Sequence, residues 1–234
     1  MRMAVVVVER WSGLRRVSQA AAGDTAGLPG RLCHALREAL EADWAVMSLH
    51  SDTLGRQLLA VSGIPALRLE ELEFLVGEGP CHSASLTGHS TIIGDLRHQV
   101  TPWPFFGTIA REVLPRIGAI HAFPLRWADE RFGSAAVLYA RPRATAWAQT
   151  QQAAAAVDTA AAALVDSYRT VFLRGADLPW EPAGLLDTHW GATHRAAGAL
   201  ALRLGIPFDE ALARMRALAF RTGHSLRDIT THLP

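Results

Sequence analysis

Between Arg31 and Ala42 the apolar residues Leu32, Leu36, Ala39 and Leu40 recur at helical spacing with charges between them, which predicts an amphipathic helix. Trp44 to His50 and Arg56 to Ser62 are apolar and β-rich, separated by the turn Ser51 to Gly55, and predict a hairpin. After the breakers Gly63 and Pro65 comes a helix carrying Leu67, Leu69, Leu72, Phe74 and Leu75, interrupted at Gly77-Glu78-Gly79-Pro80-Cys81. A short helix from Pro80 to Leu86 starts with proline in its first turn, where the missing N–H costs nothing. A strand from Thr91 to Leu96 follows, then a loop in which Pro102 and Pro104 flank Trp103, as in a lid over a cavity, and a helix from Phe105 to Leu114. Two long apolar strands, Ile117 to Leu125 and Phe132 to Ala140, make a second hairpin. Helices and antiparallel strands mix without βαβ alternation, so the predicted fold class is α+β.

Thr145 to Leu173 reads as one long helix. Its residues Val157, Ala161, Leu164, Tyr168 and Val171 repeat at spacings of four and three, which fits either a helix packed across its own sheet or a dimer seam. Pro179 and Pro182 around Trp180 end it and mark a domain boundary. Beyond it, Leu185 to Leu204 carries an apolar stripe closed by Gly205, and Phe208 to Arg221 carries another closed by Gly223. Ser225 and Asp228 resemble a capping box that opens a third helix to Leu233. The organisation predicted is an N-terminal extension over residues 1–28, a sheet domain over 29–174 that includes the long helix, a linker over 175–184 and a three-helix bundle over 185–234.

Half of the 234 residues are hydrophobic, enough for a substantial core, and this excludes a disordered chain. The net charge is +1, and all 23 basic residues are arginine. No global attraction to a polyanion is expected, so any nucleic-acid surface is local. Such a surface is predicted in the last helices, where six arginines stand against three acids from His189 onward. Val5 to Val8 is too short for a signal-peptide core, and the alanine-rich tract Ala153 to Val165 is too short to span a bilayer, so a cytoplasmic protein without membrane association is expected.

Cys33 and Cys81 form no CxxC pair, and none of the ten histidines, among them His82, His89, His98 and His121, has a metal-ligand spacing. Neither a metal, a cofactor nor a catalytic apparatus is expected. Cys81 at a helix N-terminus could have a lowered pKa and act as a nucleophile, or could pack as a small apolar residue beside glycines that shape a pocket wall. The aromatic set Trp44, Trp103, Phe105, Phe106, Phe123 and Trp127 lies in the strand-rich half. The candidate ligand pocket is drawn from Trp44, Cys81, Trp103, Phe106, His121 and Phe123. In the bundle, Arg195, Arg203, Arg214, Arg216 and Arg221 with Phe220 make a basic surface carrying an aromatic, a composition suited to phosphates and exposed loop bases; a solvated face has the same composition.

The run Gly77-Glu78-Gly79-Pro80-Cys81, with Ser85-Leu86-Thr87-Gly88 and Ile92-Ile93-Gly94-Asp95-Leu96, resembles the GEGPC…TG…DL pattern of GAF domains. His194-Arg195-Ala196-Ala197-Gly198, Leu204-Gly205-Ile206, Asp209-Glu210-Ala211, Met215 to Phe220 and Ser225 to Ile229 resemble, in order and spacing, the pattern of ANTAR modules. The resemblance covers about residues 30 to 233. It implies a transcription antitermination regulator, in which a sensor domain that takes a small molecule or a protein signal controls a three-helix module that binds paired hairpin loops in a nascent transcript, often through a homodimer. On this resemblance the RNA-binding residues are Arg195, Ala197, Gly198, Arg203, Arg214, Arg216, Phe220 and Arg221. Three departures weaken it: Ala197 stands where relatives often carry lysine or another polar residue, Pro207 replaces a Ser or Thr cap, and the chain ends at Pro234 without a basic tail. The alternatives are a ligand- or partner-binding GAF sensor with weak or vestigial RNA binding and, more remotely, a GAF-type free methionine sulfoxide reductase, which would need further cysteines near Thr101-Pro102-Trp103.

Overall fold

The computed structural model describes residues 2–22, 25, 27–51, 55–173 and 189–232. Helices α1 (Arg2–Ala21) and α2 (Leu28–Ala39) precede the hairpin of β1 (Trp44–Ser51) and β2 (Gly55–Val61). Next come α3 (Ile64–Val76), α4 (Pro80–Thr87), β3 (Thr91–Ile93) and α5 (Pro104–Val113). The second hairpin, β4 (Ala119–Trp127) and β5 (Glu130–Tyr139), leads into α6 (Trp147–Leu173). The chain finishes with α7 (Gly191–Leu204), α8 (Phe208–Thr222) and α9 (Leu226–His232).

The strands form one antiparallel sheet in the order β2-β1-β5-β4-β3. The two hairpins join through β1 and β5, where Val46 faces Ala136 and Leu49 faces Gly133. A side chain on Gly133 would meet the Ser48 carbonyl at 2.2 Å, so the strands can approach this closely only with glycine there. Alternation along each strand sends side chains to two separate cores. On one face Met47, Phe123, Leu125 and Val137 pack against α1, α2 and α6. On the other Val46, Ile120, Ala122 and Leu138 pack against α3, α4 and α5.

The long helix uses its stripe inside the chain. Val157, Ala161 and Leu164 are buried in the first core together with Ala153, Ala156 and Ala160, whose small side chains let the helix lie close to the sheet. The seam expected for a dimer is therefore occupied by the helix's own domain over these residues. Tyr168 is 49% exposed, and the side chain of Val171 lies outside the described residues, as does the linker 175–184. The first 28 residues, read from sequence only as an extension, are mostly helix α1, whose Val17 is buried between α2 and α6. Among the described residues no helix is long and apolar enough to cross a membrane.

The last three helices form a bundle around Ala197, Leu212, Met215, Ala219, Leu226 and Ile229. The expected start of its first helix at Leu185 lies outside the described residues; α7 begins behind Trp190. Ser225 and Asp228 form the capping box: the Asp228 amide donates to Ser225 Oγ at 3.1 Å, and the Ser225 amide to Asp228 Oδ2 at 3.1 Å. Pro207 takes the N-cap of α8 without a side-chain cap, leaving Asp209 and Glu210 in the first turn to face the helix dipole. Phe74, from α3 of the sheet domain, belongs to this third core.

Candidate functional site

Helix α3 ends at Gly77, whose φ of 73° is left-handed and closes the last turn. Glu78 then turns towards α5, and its Oε1 accepts the amides of Phe105 at 2.6 Å and Phe106 at 2.9 Å. It caps a helix far along the chain, at the end where a negative charge is stabilised. Gly79 has φ 144°, and a Cβ there would lie 2.6 Å from Glu73 Cγ. That close approach lets the Glu73 carboxylate accept the amides of Cys81 at 3.0 Å and His82 at 2.9 Å, at the N-terminus of α4. Each residue of the motif therefore has a position in a joint between three helices.

Behind the joint is a buried charge cluster. Arg56 Nε donates to Glu70 Oε1 at 2.7 Å and Nη1 to Glu73 Oε2 at 2.9 Å, while Ser48 Oγ donates to Glu70 Oε2 at 2.8 Å. Burial disfavours the Arg56 charge, but the two carboxylates outweigh it and raise its pKa, so the guanidinium stays charged. Burial raises the pKa of Glu73, against the pull of Arg56 and the two amides. Cys81 lies beside this cluster, and its thiol is pushed well above the ordinary range, first by burial and then by the Glu73 charge. A buried thiol next to a carboxylate is a poor nucleophile, so the structure supports the packing reading of Cys81 and not the reactive one. Cys33 is buried in the core on the opposite face of the sheet, pushed by burial up to about 12, and the two thiols cannot meet.

The six residues predicted to ring one pocket do not do so. Phe106 is fully buried, Cys81 nearly so, and Trp103 lies edge-on to Phe106 with ring centroids 5.9 Å apart, all against the core beneath α3, α4 and α5. Trp103 covers a filled core. Trp44 borders the same core with the Arg116 guanidinium 5.7 Å above its ring. His121 and Phe123 alternate with Ile120 and Ala122 along β4 and therefore face the other way. His121 lines a polar cleft of about 300 Å³ with Glu41, Tyr139, Arg143 and Thr145, and burial lowers its pKa to about 4. The pocket expectation failed because sequence proximity of aromatics does not say which side of a strand each one takes.

The predicted RNA-binding residues divide in the same way. Arg195, Arg203 and Arg221 are exposed, and Arg214 is exposed with its Nη2 donating to Glu210 at 2.6 Å. Gly198 has open space where a Cβ would stand. Ala197 is fully buried in the bundle core, so its small size serves packing. Arg216 is turned inward: Nε donates to the Phe74 carbonyl at 2.7 Å, and the guanidinium lies 5.1 Å from the centre of the Phe74 ring. Burial and the Arg56 charge lower its pKa to about 10. Phe220 is 55% exposed and meets Phe105 edge-on at 6.0 Å.

These contacts belong to an interface that the sequence did not reveal. Phe74 stacks on Trp190 with ring centroids 3.9 Å apart and planes 8° apart, and the His194 ring stands 5.7 Å away. His189 Nε2 lies 3.4 Å from Glu71 Oε1. The bundle is thereby held on α3 and on the start of α5. Beside it, between α3 and α5 on one side and α7 and α9 on the other, runs a cleft of about 440 Å³. The only sequence signal for this interface is that α3 is apolar on more than one side, with Leu69 and Leu72 towards the sheet and Phe74 and Leu75 towards the bundle.

Neither a search of protein-family profiles nor one of curated proteins finds a match. Solved structures do match. The GAF domain from a phosphoenolpyruvate-protein phosphotransferase of Coxiella burnetii aligns at 17% identity and TM-score 0.53, covering 70% of this chain and 96% of that one. A second such GAF domain, from Acinetobacter, aligns at 12% identity and TM-score 0.50 over 68% of this chain and 94% of that one. Free methionine-R-sulfoxide reductase from Neisseria meningitidis, in complex with its substrate, aligns at 16% identity and TM-score 0.53 over 69% of this chain and 92% of that one. At such identities the likeness establishes the fold and carries no activity across.

Proposed function

We propose that the chain, whose sheet domain has a GAF-like fold joined to a helical C-terminal part, is a signal-responsive RNA-binding regulator of transcription antitermination, in which the GAF-like sensor controls an ANTAR-type bundle that binds hairpin loops in nascent RNA. The observation that carries this reading is the grip of the sheet domain on the bundle. Arg216 and Phe220, both in the candidate RNA-binding set, are held by Phe74 and Phe105, while Arg195, Arg203, Arg214 and Arg221 stay exposed. In the docked arrangement the loop-binding face is partly occupied, and a signal that favours undocking frees it. Arginine and an aromatic suit unstacked loop bases, and the near-zero net charge leaves specificity to this local surface. A homodimer would have to use a surface other than the buried stripe of α6. No catalytic step is assigned to Cys81.

The test is a fluorescence titration of a two-hairpin RNA at fixed salt. Arg214→Ala with Arg221→Ala should weaken binding by about tenfold to a hundredfold while the circular dichroism spectrum is unchanged. Equal affinity for the variant and the parent chain would remove the RNA surface. The second reading, a sensor with vestigial RNA binding, draws on Ala197 being buried and Arg216 being used in packing. Crosslinking that recovers no RNA from cells would favour it.

A further inference from the structure

The cleft between the two domains combines an apolar lining with two guanidinium groups. Its apolar lining comes from both sides, with Leu72, Leu75, Ile109 and Val113 from the sheet domain and Leu226 from α9. Trp190 lines it as well, is 6% exposed, and has a buried indole N–H with no acceptor among the described residues. Two guanidinium groups line the same cleft, Arg68 from α3 and Arg227 from α9, and neither has an acidic partner among the described residues. Glu71, the carboxylate among the lining residues, lies 3.4 Å from His189 Nε2. At about 440 Å³ the cleft falls within the size range of small-molecule sites.

We propose that this interdomain cleft binds a small amphipathic carboxylate, a medium-chain or aryl-alkanoic acid, with its carboxylate taken by Arg68 and Arg227 and its hydrocarbon on the apolar lining. The face of the sheet beneath α3, α4 and α5 is filled by Phe106, Ile120 and Leu138. A ligand that touches both domains exists only in the docked form and stabilises it, so it opposes RNA binding by linkage. This deepens the reading above and rests on its sensor-and-bundle division, but binding of the ligand needs no RNA.

The test is isothermal titration calorimetry of the full chain with octanoate and phenylbutyrate, each against its uncharged amide. One site per chain is expected, with the carboxylate bound about tenfold more tightly than the amide. Arg68→Gln with Arg227→Gln, both exposed positions, should abolish that preference. Acids and amides that bind equally, no binding of either acid, or an unchanged preference in the double variant each overturn the assignment. A chain that binds octanoate but no RNA upholds the cleft and overturns the RNA reading; one that binds RNA but neither acid does the reverse.

Discussion

Glu78 shows how much one side chain does in this fold, because its carboxylate supplies both amides that open α5 with an acceptor across 27 residues of chain. Glu78→Ala should lower stability by about 1 kcal/mol, a typical loss for a helix cap, measured by urea denaturation. Histidines act in the opposite sense. Burial lowers the pKa of His121 to about 4 and that of His50, beside Arg56 and His82, to about 2. In the unfolded chain they take protons near pH 6.5, so below that pH the unfolded state binds more protons and stability falls as the pH drops towards 4. The melting temperature should therefore decline from pH 7 to pH 5, and less steeply in His121→Gln; a flat profile would contradict the burial of these rings as neutral groups. Sequence pointed to Glu78, Gly79 and Cys81 because a Gly-Glu-Gly-Pro-Cys turn is unusual. It could not assign their roles, since the partners Glu73, Arg56 and Phe105 are far away along the chain or hidden in apolar helices.

Helices and strands were legible where one period dominates, as in β1, β2, β4 and β5, and in α8 with its glycine stop. The α6 stripe was legible as a helix but ambiguous in partner, because alanine packs equally well against a sheet or another helix. The structure resolves this over Val157, Ala161 and Leu164, which lie on their own sheet. Leu164→Ala should cost about 2–5 kcal/mol in chemical denaturation and leave the mass seen by light scattering unchanged. A change in oligomeric state with little loss of stability would mean that this face is a seam between chains. Helix α3 was legible as a helix but not in its partners, since its three sides serve the sheet, the bundle and the Arg56 cluster at once. Of its charged residues Arg68, Glu70, Glu71 and Glu73, only Glu70 and Glu73 are buried, a difference the sequence does not display.

At the scale of the molecule, the GAF-like half and the helical C-terminal part are one assembly in which Phe74 belongs to the core of the second unit. That coupling was invisible in the sequence, where Phe74 reads as one more apolar position and Arg216 as one more surface charge. On the proposed function, RNA binding and docking would compete for Arg216 and Phe220. The most direct measurement of this competition is the affinity of a two-hairpin RNA for the full chain and for Phe105→Ala, a change at a side chain that is 57% exposed and removes the edge contact with Phe220. The variant should bind RNA more tightly, by a factor of roughly two to ten, the size of one aromatic pair. Equal or weaker binding would show that the docked face takes no part in RNA recognition.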